Sequence, residues 1–475
     1  MGSSSSIVAF KDQDFESIKA ECLESETLFE DPEFPLDDSS IQVKNPDGSL
    51  YQFEGELVWK RASELCDNPQ LIVDGATRLD VNQGECGSCW FLAAMANVAD
   101  HPDLLKNVLP EDQSFEEGDY TGAFHVRFWQ YGEWFDVVID DYLPTVDGNL
   151  CFNQSDDPNE LWPALVEKAF AKLHGNYGEI EGGLPRESMV DLSGGCVEAF
   201  NTQAVPENLF EIMYKAGQRG SMMSCGTPGL DEGETNETGL VPGHAYSITK
   251  VIKLEADGEE HQLIRVRNPW GNASEWNGDW SDEKIRALPE EVKAEHEIVD
   301  EDDGEFYMSI NDLLKNCDII SICHLDIQSE GLFEGSVLGM WTTGISAGGS
   351  EDLSANPQFK VTLEDADADE DSMATVIISL LHKGARSTIE AKGAIGFAFY
   401  RIDDSTALPL DADFVADPDN EVAGISFNTG YRTEVKRFKV EPGTFVIIPF
   451  TYKAEVEAEF FLRVFAESQP LLEFL

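Results

Sequence analysis

The 475-residue sequence predicts an α+β protein: a mainly helical segment, a β-rich segment, and a terminal antiparallel β-sandwich. Three observations predict it. Apolar residues recur at helical spacing in "CWFLAAMANVA" (89–99) and "ELWPALVEKAFAKLHG" (160–175). Past about residue 206, "LVPGHAYSITKVIKL" and "HQLIRVRNPWG" read as strands broken by Gly and Pro. Beyond residue 350 the β-rich runs "QFKVTL", "ATVIISLLH", "GAIGFAFYRI", "GTFVIIPFTY" and "AEFFLRVFAES" succeed one another between turns.

Taken in order, residues 1–27 form a peripheral start. "MGSSSSIVAF" lacks the charged, apolar build of a secretory signal, but Gly2 and Ser6 fit an N-myristoylation pattern. A plain polar start is the alternative. One acyl chain without a polybasic helper implies weak, reversible membrane contact. Residues 28–205 are expected to be mainly helical. Asp156, Asp157 and Asn159 are capping types ahead of the second helix, Pro163 suits its first turn, and Gly175 suits its end. Residues 206–335 form the β-rich segment, including "GEFYMSINDLL". "TTGISAGGS" (342–350) reads as a linker, and 340–475 as the sandwich.

Net charge is −59, from 91 acidic against 32 basic residues, which argues against nucleic acid as a partner. Nine cysteines without a secretory signal point to a reducing, cytoplasmic setting, so the sequons at Asn153, Asn236 and Asn272 are expected to be unused. No second Cys or His pair completes a zinc site with Cys86 and Cys89, and nothing around them suggests a thioredoxin-like domain.

The chemistry centres on "NQGECGSCWFLAA" (82–94). Cys89 opens a helix, where unpaired N–H groups and the dipole favour a thiolate. Gln83 can reach an oxyanion beside it. His244, in "PGHAYSIT", sits at a Gly-opened strand start among small neighbours; Asn268, in "RNPWG", can hold its tautomer, and Trp270 can cover the pair. Gln, Cys, His and Asn follow in the order a papain-type site needs. "CGSCW" itself resembles the papain signature, in which the second thiol is the nucleophile.

The wider sequence resembles the calpain family. "FEDPEFPLDDSS", "ATRLDVNQG", "CWFLAA", "LWPALVEKAFAKLHGNY", "LSGGCVEAF", "GHAYSIT", "RNPWGNASEWNGDWSD" and "DGEFYMS" follow its protease core. "NPQFKVTLEDADADED" and "PGTFVIIPFTYKAEVEAEFFLRVFAES" follow its sandwich domain. The resemblance implies a papain-like core of two subdomains (28–205 and 206–335). It further implies calcium-activated cleavage of protein substrates; the C-terminal EF-hand domain that such a protein would add for a small subunit is not found in the sequence, so no EF-hand small subunit is expected. Cys89, His244, Asn268 and Gln83 are the implied catalytic set, with Trp270 and Arg78 as gating residues, Arg78 by pairing with Glu305.

The implied Ca²⁺ ligands in the second half are Glu275, Asp282, Asp303, Glu305 and the carbonyl near Glu301, a hard-oxygen shell of the kind calcium takes. In the first half they are Val73, Gly75 and Asp80. There the family's further carboxylate is replaced by Gly178, with Glu179 one place late. Cys86 also departs from the family, being a free buried thiol or a partner for Cys196. The acidic stretch 363–372 suits either an ion or lipid contact or a solvated loop. Two other readings stand beside this one: a calcium-independent papain-like protease, and an inactive scaffold.

Overall fold

The computed structural model describes residues 7–44, 48–229, 232–256, 258–271, 275–298, 303–367, 371–384, 386, 393–422, 426–427 and 432–475. Gly2, Ser6, Asn272 and Glu301 lie outside them. Two compact units divide at Leu325/Asp326.

The first half of the first unit carries more strand than its sequence predicts. β1 (Ile7–Ala9) pairs in parallel with β4 (Glu133–Asp140), which pairs antiparallel with β3 (Ala123–Gln130). Between β1 and β3 in sequence lies β2 (Leu57–Arg61), which forms a second small sheet with β5 (Tyr142–Val146) and β6 (Asn149–Leu150). From Ile7 on, the N-terminal segment is therefore not peripheral. Gln13 is buried and donates to Asp31 (2.9 Å), whose other oxygen takes Lys172 at 2.5 Å. Phe15 stacks on His125 with ring centroids 3.8 Å apart. Paired in this way, the buried charges avoid the desolvation penalty of an isolated ion.

Two helices follow their sequence cues. Helix Trp162–His174 has Pro163 in its first turn and stops at Gly175, whose φ of 122° excludes side chains from that place. Helix Cys89–Ala99 is buried at every residue, as its all-round apolar sequence requires. It crosses to the β-rich half: Ser247 Oγ donates to Ala93 O (2.9 Å) and Asn97 Nδ2 to Met223 O (3.0 Å).

That half is a six-stranded antiparallel sheet. Its strands are β7 (Cys196–Asn201), β8 (Met222–Gly226), β9 (Ala245–Ala256), β10 (Glu259–Arg267), β11 (Glu305–Ser309) and β12 (Ile319–His324), in spatial order β11-β10-β9-β8-β12-β7. Helix Leu209–Gln218 covers it with Leu209, Phe210, Met213 and Ala216.

The second unit is a sandwich of two sheets. One runs β13-β20-β15-β18 (Phe333–Trp341, Ala458–Ala466, Ala374–Lys383, Thr433–Val440). The other runs β17-β16-β19-β14-β21 (Ser426–Phe427, Ile395–Ile402, Gly443–Thr451, Phe359–Leu363, Glu473–Phe474). Alternate residues such as Val376, Ile378 and Leu380 meet Phe397, Phe399 and Ile447 in the core. The linker expected at 342–350 is instead packed structure. Ala347 is buried in that core, and a Cβ on Gly348 or Gly349 would lie 2.2 Å from Asp352 O or 2.4 Å from Ala454 N. Glycine is there for close backbone approach, not for flexibility.

Candidate active site

Cys89 is the first residue of its helix, and the turn before it is held open for chemistry. Ser88, which would ordinarily cap the helix with its side chain, instead donates to Glu167 Oε1 (2.7 Å). The Ser88 side chain therefore caps none of the first backbone N–H groups of the helix. Glu167 is fully buried, and burial pushes its carboxyl up to about 7 against the bonds from Ser88 and Asn153 N (2.8 Å). Cys86 points elsewhere: its Sγ faces Tyr177 O at 3.7 Å, and burial raises its thiol well above the usual range. All nine cysteines are free, Cys86 and Cys196 included.

His244 follows Gly243, whose φ of 64° turns the chain into β9. His244 is 2 % exposed. Nε2 lies 2.9 Å from Asn268 Oδ1, and the same oxygen accepts from Trp270 N (3.0 Å), which fixes the carboxamide with its oxygen towards the ring. Nδ1 is thereby left facing Cys89. The Trp270 ring lies over the pair, its centroid 5.2 Å from that of His244. Gln83, bonded through its backbone N–H to Pro269 O (2.9 Å), brings its side-chain amide to the same place. The expected Gln83, Cys89, His244 and Asn268 do converge.

One member was not legible in the sequence. Glu232, on the loop between β8 and β9, places its carboxylate inside the site. Trp270 Nε1 donates to Oε1 (2.6 Å), Gln83 Nε2 donates to Oε2 (3.1 Å), and His244 Nδ1 stands 3.0 Å from Oε1. Cys89 Sγ, a Glu232 oxygen and a His244 nitrogen all lie within 4.8 Å of one another. Burial acts to lower the His244 pKa, but the Cys89 sulfur and the Glu232 carboxylate outweigh it and push it up to about 10. Burial would raise Glu232, yet its bond and charge interaction with His244 bring it below the usual range. In a chain with 91 acidic residues, one more glutamate in "DEGETNE" carries no signal.

Arg78 and Glu305 pair as expected. Nε and Nη2 of Arg78 donate to the two oxygens of Glu305 at 2.7 and 2.8 Å, and Arg78 also reaches Asp100 at 3.2 Å. Close by are other expected calcium ligands. Glu275 Oε1 accepts from Gly304 N (3.0 Å), and Asp303 Oδ1 from Glu305 N (2.9 Å), so two separate loops meet at Gly304. Burial raises the Asp303 carboxyl, and the Glu305 charge adds to it. Among the described residues no three of these carboxylates have ligand atoms within 4.8 Å of one another, so the set does not form a closed ion shell as it stands. Asp282 opens the short helix Asp282–Ile285.

In the first half, Gly75 is left-handed (φ 96°), and Asp80 takes Thr77 N (2.6 Å) and Thr77 Oγ1 (2.9 Å). Val73 N donates to Glu160 (2.8 Å), a buried carboxylate that the sequence did not single out. Gly178 lies against the backbone of Gln42, 2.1 Å from where a Cβ would stand, so no side chain fits there. Asn153, in a sequon, is buried and donates to Pro163 O (3.0 Å).

Comparison with known proteins agrees with this arrangement. The family model described as "Calpain family cysteine protease" matches residues 29–324, and "Calpain large subunit, domain III" matches 337–465. The chain is 43% identical over 493 residues to Calpain-A of Drosophila melanogaster, covering 97% of this chain and 58% of that one. It is 41% identical to Calpain-B of the same fly (97% and 52%), and 37% identical to the Calpain-2 catalytic subunit of Bos taurus (99% and 70%). The chain thus spans little more than half the length of the fly relatives.

Proposed function

The chain belongs to the calpain family of cysteine proteases, and from that premise we propose that it is a calcium-dependent endopeptidase making limited cuts in protein substrates. The convergence of Cys89, His244 and Asn268 is the observation that carries the proposal. Cys89 Sγ attacks the peptide carbonyl carbon, forming a C–S bond and a tetrahedral oxyanion. The oxyanion is met by the Cys89 N–H and the Gln83 amide, donors placed before charge develops. His244, protonated beside the sulfur, gives its proton to the departing amine, and the C–N bond breaks. It then takes a proton from water as water attacks the thioester, which frees Cys89. Asn268 holds the ring, and Trp270 keeps water off that bond. Glu232 must leave the Gln83 amide for the oxyanion to use it.

In this reading the working domains are the two-part core and the sandwich, with the bounds expected at 205/206 and 335/340 shifted: β7 (196–201) joins the second part's sheet, and the sandwich unit begins at Asp326. Glu275, Asp282, Asp303, Glu305 and the carbonyl near Glu301 would hold one Ca²⁺; Val73, Gly75 and Asp80 would supply another. Ca²⁺ there would supply positive charge to draw these carboxylates together, beside the Arg78–Glu305 contact between the two halves. A cytoplasmic location, with reversible membrane contact through Gly2, belongs to the same reading. Among the described residues no helix is long and apolar enough to cross a membrane.

A calcium titration of peptidase activity tests the proposal. Wild type should be silent in chelator and rise with calcium, while Glu275→Ala/Asp282→Ala should need far more calcium. Equal activity of both in chelator would instead favour the calcium-independent protease, and no Cys89-dependent activity in either would favour the scaffold.

A further inference from the structure

We propose that Cys89, His244 and Glu232 also form a binding site for a zinc-class divalent cation, occupation of which switches the protease off. The inhibitory consequence rests on the function proposed above; the binding site itself rests on geometry alone.

The three donors are a thiol sulfur, an imidazole nitrogen and a carboxylate oxygen, the combination zinc takes when one position stays open for water. They lie within 4.8 Å of one another, and the His244–Glu232 contact is 3.0 Å. Donors arranged tetrahedrally about zinc stand roughly 3.3–3.6 Å apart. A slight opening of the His244–Glu232 contact and a turn of the Cys89 rotamer therefore complete the shell.

The groups behind the donors point the same way. Metal-bound imidazoles are usually held through their other nitrogen, and metal-bound carboxylates through further hydrogen bonds. His244 Nε2 is held by Asn268 Oδ1, which leaves buried Nδ1 aimed at Cys89 and Glu232, 3.0 Å from the carboxylate. Glu232 is held by the Trp270 indole N–H and the Gln83 amide. A Cys–His pair alone offers two donors; the loop between β8 and β9 supplies the third.

An ion bound there takes the sulfur lone pair that attacks substrate and the nitrogen lone pair that moves the proton. Its binding releases to solvent the one proton that the Cys89 sulfur and His244 Nδ1 share. Calcium, which selects hard oxygen donors, does not compete for sulfur and nitrogen. One class of ion would thus support activity from the carboxylate loops while another stops it at the sulfur.

Cobalt(II) added to the full chain in saturating calcium tests the site by the absorption of a cobalt–thiolate bond, with no turnover needed. Wild type and Cys86→Ala should each show one equivalent of thiolate-bound cobalt, displaced by zinc. Cys89→Ala should lose the band, and Glu232→Gln should weaken binding at least ten-fold. A band that persists in Cys89→Ala, no band in wild type, or unchanged affinity in Glu232→Gln would overturn the proposal. Peptidase assays of the same samples keep the two readings apart. Cobalt binding in a chain that never cleaves peptide would sink the protease and leave the metal site standing, and the reverse holds equally.

Discussion

Arg78 and Glu305 lie 227 residues apart and share two hydrogen bonds, at 2.7 and 2.8 Å, between the helical and β-rich halves of the protease core. Glu305 is mostly buried, and Thr249 Oγ1 donates to it as well (2.9 Å). A planar guanidinium fits both oxygens at once, which an ammonium cannot do. Arg78→Ala is expected to lower kcat/KM about ten- to a hundred-fold at half-saturating calcium, and Arg78→Lys to recover little of it. Activity titrations with fold checked by circular dichroism measure this. Wild-type behaviour of Arg78→Ala would show that the pair does not couple the halves.

Gln83 aims its amide into the site, where Nε2 donates to Glu232 Oε2 and to Cys86 O, both at 3.1 Å. Gln83→Ala should therefore reduce kcat about 10²–10³-fold with little change in KM, as loss of an oxyanion donor does. A change confined to KM would place Gln83 in substrate binding instead.

The buried Glu167 carboxyl, pushed up to about 7 by desolvation, gives a pH signature. Below the unfolded value near 4.5 both states hold the proton. As pH rises towards 7 the unfolded chain releases it first, so wild type loses stability on the order of 3 kcal/mol by pH 8. Glu167→Gln does not titrate. Its thermal midpoint relative to wild type should climb by several degrees between pH 5 and pH 8, and a constant difference would contradict the burial argument.

Gly178 stands where the resemblance expects a calcium-binding carboxylate, but the backbone of Gln42 fills the space. Gly178→Glu is expected to lower the midpoint of unfolding by several degrees and not to raise calcium affinity. Tighter calcium binding with unchanged stability would show that the loop readily rearranges.

Much of this was written in the sequence because the chemistry demands rare residues at fixed places. Cys89 at a helix start, His244 after a glycine, and Asn268 before Pro269 and Trp270 leave local marks. So do β-branched runs such as "ATVIISLL". What stayed hidden depends on distant contacts. "TEVKRFKV" alternates charge with apolar residues and gives a weak strand signal, yet it completes a sandwich sheet as an edge strand. β3 and β4 carry His, Arg and Asp that pair across the sheet, with His125 Nδ1 2.7 Å from Asp136, and so they resemble polar connection. Glycines 348 and 349 look like a linker until the chain beside them is seen. Glu232 needed the folded loop to bring it near the sulfur.

The most direct test of the account is mass-spectrometric mapping of covalent labelling by the epoxide inhibitor E-64, with calcium and with chelator. The account predicts one adduct, on Cys89, formed in calcium and nearly absent in chelator, and lost in His244→Ala. Equal labelling of Cys89 in both conditions, or labelling of another cysteine in its place, would contradict it.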